Sequence, residues 1–558
     1  MNTPNAVITR LYFLRNQFGK EAAIEKRDLL TSLKLKSIKS KNNLQVCNAL
    51  LHFIIAYPDN KAIYTLANLL LKQLQEIIEA NDQLQYRLYN TGITATAVCA
   101  SFNFELVSWL RKTRPGDIRF HSFSANDAQI QSILSVVMPK AESEILQDGN
   151  AEWKSWFKKL KNKEEDLLDQ LIAVFCSSPI RPEVKDELWN AIGVHVEINF
   201  KTHCCLPDTW LLPYYHQVNN RKENSAPANQ WCTGKKTGPS SQNPVQIKLT
   251  EAEAEQIIDC GRMILVRHLR EIDPISFTSA KWVTYYQLDR GFSIALMGMV
   301  PARRHPIDCY MGYLVFKNGL PVAYAGSWLL FNSGRIGLNI FPGYRGGESK
   351  YIFDQVLQLH ARVYRLNRFT VDPYQIGKDN SDGIHSGAFW LYYHAGFRPL
   401  QKLQLALAGT EAIKIKTNKN YRSPQSVLKI LANSRLELVF KKGAVGFDAT
   451  DLSRVYAAIL INKYKGNRLV AEKGADKKLA TLLQIKNYQA EGINFILKNW
   501  ASLLLANEKE LRRNSSLRKL LKKLFNLKAN GSEEAYVTAL QQSAGFKNFI
   551  EGVIKNAV

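Results

Sequence analysis

Residues 336–399 read IGLNIFPGYRGGESKYIFDQVLQLHARVYRLNRFTVDPYQIGKDNSDGIHSGAFWLYYHAGFRP and carry the pattern that decides the fold. A short apolar strand runs into a glycine-rich turn, and an amphipathic helix begins directly after the turn. A second strand and a short aromatic helix follow. Unpaired backbone N–H groups at the start of a helix and the helix dipole point at the same place, and Arg345 adds a fixed cation. The stretch therefore predicts a place where an anion binds.

The order of the surrounding elements decides how this turn is interpreted, because most glycine-rich turns are purely structural. The helix has an apolar face that predicts packing against a sheet, formed by Ile352, Val356, Leu359 and Val363. Runs rich in β-branched and aromatic residues predict strands at 292–300, 310–316, 322–331, 336–341, 368–372 and near 398–407, with a helix at 386–395. Consecutive antiparallel strands followed by strand–helix–strand–helix favour an α/β fold with a mixed sheet.

This arrangement resembles the GNAT superfamily of acyl-CoA N-acyltransferases over about residues 250–410. Residues 340–347, IFPGYRGG, look like the turn that follows a strand in that family, and residues 388–397, AFWLYYHAGF, are similar to its closing segment. The resemblance implies a GNAT-like mixed sheet with splayed parallel strands. The V-shaped opening would lie between the predicted strands 336–341 and 368–372.

The resemblance also implies a set of site residues and a cofactor, acetyl-CoA or another acyl-CoA, as the acyl donor. Backbone groups near Ile340 would bind pantetheine. The pyrophosphate would lie on the turn and the helix start, at Arg345, Gly346, Gly347, Glu348 and Ser349. Tyr392 would protonate the departing thiolate, since a phenol with a pKa of about 10 is close to a thiol of about 8.5. The alternative interpretation of Tyr392 is an aromatic core residue in a crowded helix.

The turn departs from the family pattern at two positions that are usually glycine or alanine and are Glu348 and Lys350 here. A carboxylate at a pyrophosphate site repels the ligand unless it points away or pairs with Arg345 or Lys350. Three explanations stay open: the cofactor is held differently, the donor is not free CoA, or the fold has lost its chemistry. Asp372 and Asp354 are candidate general bases by position alone.

The net charge of +25 on 558 residues favours an acidic partner. An acidic carrier protein and tRNA are the candidates besides the amine-bearing acceptor. A basic amphipathic helix is predicted over 512–528, with seven basic residues: Arg512, Arg513, Arg518, Lys519, Lys522, Lys523 and Lys528. The alternative for this helix is a solvated charged face packed on its leucines.

The composition predicts four regions: an α-helical domain at 1–216, a polar linker at 217–247, the GNAT-like domain at 248–440 and a basic α-helical region at 441–558. Hydrophobic content of 46% excludes a mainly disordered chain. Eight scattered cysteines without a CxxC pair are typical of reduced thiols. No signal peptide, membrane span or metal site is predicted, so the expected location is the cytoplasm.

The leading functional hypothesis is an N-acyltransferase that moves an acyl group from a thioester donor to an amine. Two alternatives come from other classes. One is a catalytically degenerate GNAT-like binding module in a helical scaffold. The other is a basic factor that binds RNA or an acidic carrier through its C-terminal helix.

Overall fold

The computed structural model describes residues 3–161, 166–201, 205–206, 215, 244–346, 348–418, 420–440, 446 and 448–557. The predicted linker at 217–247 therefore lies outside the described residues except at 244–247. The chain divides into two compact units. The first comprises Met1–Asn220, Glu255–Phe277 and Lys317–Pro321, and the second comprises Arg221–Ala254, Thr278–Phe316 and Val322–Val558.

The first unit is mostly helical but also contains a sheet that the sequence did not predict. Its helices up to residue 192 are α1 (Pro4–Leu14), α2 (Lys20–Ser32), α3 (Lys41–Ala56), α4 (Lys61–Glu79), α5 (Asp82–Arg87), α6 (Phe104–Thr113), α7 (Asp127–Val137), α8 (Lys140–Gln147), α9 (Trp153–Leu160), α10 (Leu167–Ser177) and α11 (Pro182–Ile192). Strands β1 (Ala97–Ser101), β2 (Ile118–Phe123) and β3 (Val194–Asn199) form an antiparallel sheet in the order β1-β3-β2. The α-helical region predicted at 1–216 thus also contains three short strands, which lie between strongly periodic helices.

The next segment begins with β4 (Val245–Ile247), α12 (Glu251–Arg267) and α13 (Asp273–Ser276). A threonine caps the start of α12. The Thr250 hydroxyl accepts a hydrogen bond from the Glu253 backbone N–H at 3.3 Å, and the Glu253 carboxylate accepts one from the Thr250 N–H at 2.7 Å. This reciprocal pair satisfies backbone donors at the helix start.

The second unit is built on a mixed sheet, so the mixed α/β class is confirmed. Its strands are β5 (Val283–Gln287), β6 (Phe292–Met297), β7 (Cys309–Lys317), β8 (Leu320–Leu330), β9 (Ser333–Ile336), β10 (Asn339–Ile340), β11 (Arg368–Val371), β12 (Arg398–Pro399) and β13 (Leu436–Val439). The strand order is β12-β13-β11-β9-β8-β7-β6-β5-β4, and β10 pairs with β8. β7 and β8 are joined by a hairpin turn, with positive φ at Asn318 and Gly319.

The predicted strand at 336–341 is divided in two. β9 pairs antiparallel with β8 through Ser327↔Ile336 to Leu330↔Ser333, and β10 resumes on β8 at Asn339↔Tyr324. The turn between β8 and β9 lies at Phe331, which has a φ of 50°.

The strand predicted near 398–407 is also wrong for most of its length. Only Arg398–Pro399 is a strand, and a helix, Lys402–Thr417, follows. The strand that lies next to β11 in the sheet is β13, which the sequence analysis missed. It pairs antiparallel with β11 from Arg368↔Val439 to Val371↔Leu436.

The helices of the second unit cover the sheet and form its C-terminal part. They are α14 (Ser349–Val363), α15 (Ser381–His385), α16 (Ala388–His394), α17 (Lys402–Thr417), α18 (Gln425–Leu431), α19 (Ala449–Tyr464), α20 (Arg468–Glu472), α21 (Ala475–Leu483), α22 (Glu491–Leu505), α23 (Glu508–Arg513), α24 (Ser515–Asn530), α25 (Glu533–Gln541) and α26 (Ala544–Ala557). The predicted face of α14 is buried at Ile352, Val356 and Leu359. No helix among the described residues is long and apolar enough to cross a membrane.

The predicted basic helix at 512–528 is two helices, α23 and α24, separated at Asn514, whose side chain caps α24. Lys519 and Lys523 are exposed on α24. Lys528 is not part of this surface, because it is buried and bonded to the Glu533 carboxylate at 2.7 Å. The helix therefore presents fewer cations to a nucleic acid or carrier than its sequence indicates.

Candidate functional site

The glycine-rich turn lies between β10 and α14, where the sequence placed it. A short 3₁₀ turn, Pro342–Tyr344, leads to Arg345, and Gly346 has a φ of 75°. That φ favours glycine, so Gly346 is required by the backbone of the turn. The predicted site residue Gly347 lies outside the described residues. The helix begins at Ser349, directly after Glu348.

The Arg345 guanidinium is held by groups of the protein. It forms a bidentate ion pair with Asp382 of α15, at 2.7 Å to Oδ1 and 2.6 Å to Oδ2. Its Nε donates a hydrogen bond to the carbonyl of Ile340 at 3.1 Å. The cation predicted for a pyrophosphate is therefore already neutralised by a carboxylate. Of the backbone groups near Ile340 that were predicted to bind pantetheine, the Ile340 carbonyl already accepts a hydrogen bond. An anion that binds here has to compete with Asp382.

Of the two arrangements considered for Glu348, pointing away from the ligand or pairing with Arg345 or Lys350, the structure has the first. The Glu348 carboxylate is buried and lies 3.4 Å from the guanidinium of Arg290, which in turn stacks 4.5 Å above the ring of Tyr351. Lys350 is paired with Asp354 at 2.6 Å. The carboxylate thus points into the protein, which reduces its repulsion of an anion on the turn.

Tyr392 is brought to the gap between β9 and β10. Its side-chain oxygen accepts a hydrogen bond from the backbone N–H of Leu338 at 3.1 Å. The ring is almost fully buried and meets Phe353 edge to face, with 5.0 Å between centroids. Burial raises the pKa of Tyr392, and the Leu338 hydrogen bond lowers it by less. Tyr392 therefore keeps its proton at neutral pH, and its alternative interpretation as a core residue also agrees with its burial.

The parallel ladder between β9 and β11 is short. β9 and β11 pair at Ser333↔Arg368, Gly334↔Phe369 and Arg335↔Thr370, and the ladder ends there. Past the ladder, the chain continues as β10 on β8, whereas β11 leads into a 3₁₀ turn, Pro373–Ile376.

A glutamine reaches across to the interrupted strand. A Cβ added to Gly337 would lie 2.7 Å from the amide carbon of Gln375, so this amide lies against the backbone of Gly337. The hydroxyl of Tyr313 donates a hydrogen bond to the Gly337 carbonyl from another strand. Gly337, Leu338, Gln375 and Tyr392 form what we call the strand gap.

Both candidate bases are occupied by ion pairs. Asp354 is buried beside Lys350, and Asp372 lies 3.3 Å from both Arg335 and Arg435. Neither carboxylate has the open, unpaired position that a general base needs.

The structure thus brings together most of the predicted site residues. Ile340, Arg345, Gly346, Glu348 and Ser349 share one turn, and Tyr392 contacts Leu338, two residues before Ile340. Sequence reasoning missed three residues that shape this site: Asp382, Arg290 and Gln375. Each lies far from its contact along the chain, and only the position of Asp382 at the start of a short helix gave any local signal.

No family model, curated protein or solved structure matches this chain.

Proposed function

We propose that the second unit is a GNAT-like N-acyltransferase that moves an acyl group from a thioester to an amine. One observation carries the proposal. The single phenol of Tyr392 contacts the backbone N–H of Leu338 at the point where the β9–β11 ladder has ended. An extended pantetheine arm needs such a gap between strands, and a departing thiolate needs a proton donor beside it.

In the proposed reaction the acceptor amine attacks the thioester carbonyl, and a C–N bond forms while the C–S bond breaks. The amine loses a proton to water. The thiolate takes a proton from the Tyr392 phenol, which is later reprotonated from solvent. The backbone N–H of Leu338 would bind the oxyanion once the donor displaces the Tyr392 hydrogen bond.

A second candidate is a GNAT-like module that binds a partner without catalysis. It is favoured by the ion pair between Arg345 and Asp382 and by the burial of Glu348 against Arg290. Both contacts pair the charges of the turn with other side chains of the protein, so that they are less available to a ligand. The raised pKa of Tyr392 also widens its separation from the pKa of a thiol, which makes proton transfer to the thiolate less favourable.

Ligand binding followed by turnover separates the two candidates. The full chain is heated with acetyl-CoA, a longer acyl-CoA and free CoA, because a ligand at 100 times its dissociation constant adds about 2.7 kcal/mol to the stability of the folded state. Stabilisation by an acyl-CoA together with acyl transfer to a panel of amines supports the enzyme. Stabilisation without transfer supports the binding module. An absence of stabilisation by any of the three compounds contradicts a site for free CoA.

A further inference from the structure

Helix α17 (Lys402–Thr417) is inverted, with large apolar side chains outside and polar ones inside. Leu403 is 68% exposed and Ile413 is 67% exposed, whereas Gln404 and Glu411 are 5% and 1% exposed. Leu400, Leu405 and Ile430 are also exposed. We call these five apolar residues, Leu400, Leu403, Leu405, Ile413 and Ile430, the α17 surface.

This orientation is fixed by hydrogen bonds. The buried Glu411 carboxylate accepts bonds from Lys414 at 2.8 Å, Tyr421 at 2.8 Å and Ser423 at 2.7 Å. The Gln404 amide donates to the carbonyl of Ile430 at 3.3 Å, which ties α17 to α18. Rotation of the helix to bury its leucines would break these bonds and leave a carboxylate without partners, so the apolar side is held outward.

The charges around the α17 surface have one sign. Exposed basic residues in the same stretch of chain are Lys402, Lys416, Arg422 and Lys429, while the exposed Lys414 is paired with Glu411. Glu411 is the only acidic residue between positions 398 and 435, and it is buried. A mixed apolar and basic surface fits a partner that presents acidic side chains around an apolar centre.

A groove lies between the α17 surface and the helix that contacts the glycine-rich turn in the order of the chain. An open groove between α15 and α18 is lined by residues that include Lys378, His385 and Lys429. Lys429 thus belongs both to the groove and to the exposed basic residues in the stretch of chain that carries the α17 surface. At the other side of α15, Asp382 holds Arg345 of the turn at 2.6 Å.

We infer that the acyl donor is delivered by an acidic, helical carrier domain that docks on the α17 surface with its acyl group on a phosphopantetheine arm. The inference rests on the proposed acyl transfer. A carrier-bound arm has one phosphodiester, whereas free CoA has a pyrophosphate and a ribose phosphate. The turn is better suited to the single phosphodiester of the carrier-bound arm, because Asp382 already neutralises the charge of Arg345. The carrier supplies the remaining affinity through its own contacts with α17.

Two other acidic macromolecules are distinguishable from such a carrier. RNA would use the cations of this surface but gain little from exposed leucines, so its binding would depend on charge alone. An anionic membrane would use both, but it would bind without a phosphopantetheine arm.

The test measures binding of the full chain to an acidic acyl carrier protein that bears an acetyl-phosphopantetheine arm. Binding is monitored by fluorescence anisotropy at low and at moderate salt. L403E with I413E, and separately K402E with K416E, are each expected to weaken binding at least about tenfold, as loss of interface hot spots does. The matched controls are L469E and K519E, at an exposed leucine of α20 and an exposed lysine of α24, which are expected to bind as the wild type.

Each result has one interpretation. Loss of binding in both α17 variants, with none in the controls, supports the docking surface. An absence of carrier binding, equal binding by all variants, or equal or tighter binding of tRNA or of vesicles containing phosphatidylserine overturns it. Failure of the proposed function is separate: the carrier would bind through α17, but no amine would be acylated. Conversely, transfer from acetyl-CoA without carrier binding would overturn the docking surface alone.

Discussion

The side-chain oxygen of Tyr392 accepts a hydrogen bond from the backbone N–H of Leu338 at 3.1 Å. The bond joins helix α16 to the interruption between β9 and β10, 54 residues earlier in the chain. Leu338 has no cross-strand partner at this point in the β8 ladder, which lapses between Ile336 and Asn339. Tyr392 therefore satisfies a backbone donor that the sheet leaves unpaired.

Replacing Tyr392 by Phe is expected to affect both stability and turnover. The substitution leaves the buried N–H of Leu338 without its acceptor, which costs about 1–3 kcal/mol of unfolding free energy. If Tyr392 donates a proton to the thiolate, kcat falls by about 10²–10⁴-fold with unchanged donor binding. Y393F, at the half-buried neighbouring tyrosine, is the control and should change neither quantity appreciably. Urea unfolding and steady-state kinetics measure the two effects, and full kcat in Y392F would remove this residue from the mechanism.

Substitution of Asp382 is expected to raise the affinity of the turn for an anion, because Asp382 forms an ion pair with Arg345. D382N keeps the shape of the side chain but releases the charge of Arg345. Affinity for acetyl-CoA is expected to rise, while unfolding free energy changes by less than about 1 kcal/mol because the pair is partly exposed. D379N removes the same charge three residues earlier and serves as the control. Isothermal titration compares the three proteins, and equal affinities would show that Arg345 does not bind the donor.

The sequence predicts this unit best where the signal is local. The α14 face, the threonine cap of α12 and the glycine at position 346 follow from periodicity, a capping box and a required positive φ. β13 was missed because its four residues, Leu436–Val439, are too short for a pattern and gain their stability from pairing with β11.

In the candidate site, too, features with a local sequence signal could be predicted and features that depend on long-range contacts could not. The turn could be found from its glycines and its position before a helix. The partners that change its chemistry could not, because the contacts of Arg345 with Asp382 and of Glu348 with Arg290 join residues 37 and 58 positions apart. Only the folded chain brings these charges together, and no spacing rule connects them.

The free energy of unfolding is expected to decrease as the pH is lowered from about 6.5 to about 4, because of His360. Burial lowers the pKa of this histidine to about 4, and its neutral ring lies between the carbonyl of Val356 at 2.8 Å and the hydroxyl of Ser327 at 3.1 Å. The unfolded chain, with a pKa of about 6.5, binds a proton that the folded chain excludes in this range. The contribution is therefore present above pH 6.5 and is lost as the pH falls, by about 3 kcal/mol in total.

H360Q should flatten this pH dependence in urea unfolding followed at several pH values. H385Q, at an exposed histidine of α15, should leave it unchanged. His52 in the first unit also has a pKa lowered to about 4 by burial, so the transition of the second unit has to be followed separately. An unchanged profile in H360Q would assign the acid sensitivity to other groups.

The close approach of Gln375 to Gly337 predicts a coupled pair of substitutions. G337A would place a methyl group 2.7 Å from the amide carbon of Gln375, and the crowding is expected to cost about 1–3 kcal/mol of unfolding free energy. Q375A removes the obstructing amide and should recover much of that loss in the double variant. G409A, where an added Cβ meets nothing within 4 Å, is the control. Additive effects in the double-mutant cycle would contradict the contact.

The buried pair of Lys528 and Glu533 predicts that the C-terminal helices unfold together with the sheet. The Lys528 ammonium donates to the Glu533 carboxylate at 2.7 Å and to the carbonyl of Asp308, next to the start of β7, at 2.8 Å. K528M would leave a buried carboxylate without its cation, which costs about 3–5 kcal/mol of unfolding free energy.

The double variant K528M/E533L removes both charges and should be more stable than K528M alone, since a well-packed apolar pair can replace a buried ion pair. R468M breaks the exposed pair with Glu472 and should cost less than about 1 kcal/mol. Because Lys528 bonds to both α25 and the strand end, K528M is also expected to separate one unfolding transition of this unit into two in calorimetry. A loss no larger than that of R468M, with a single transition retained, would show that this pair does not join the helices to the sheet.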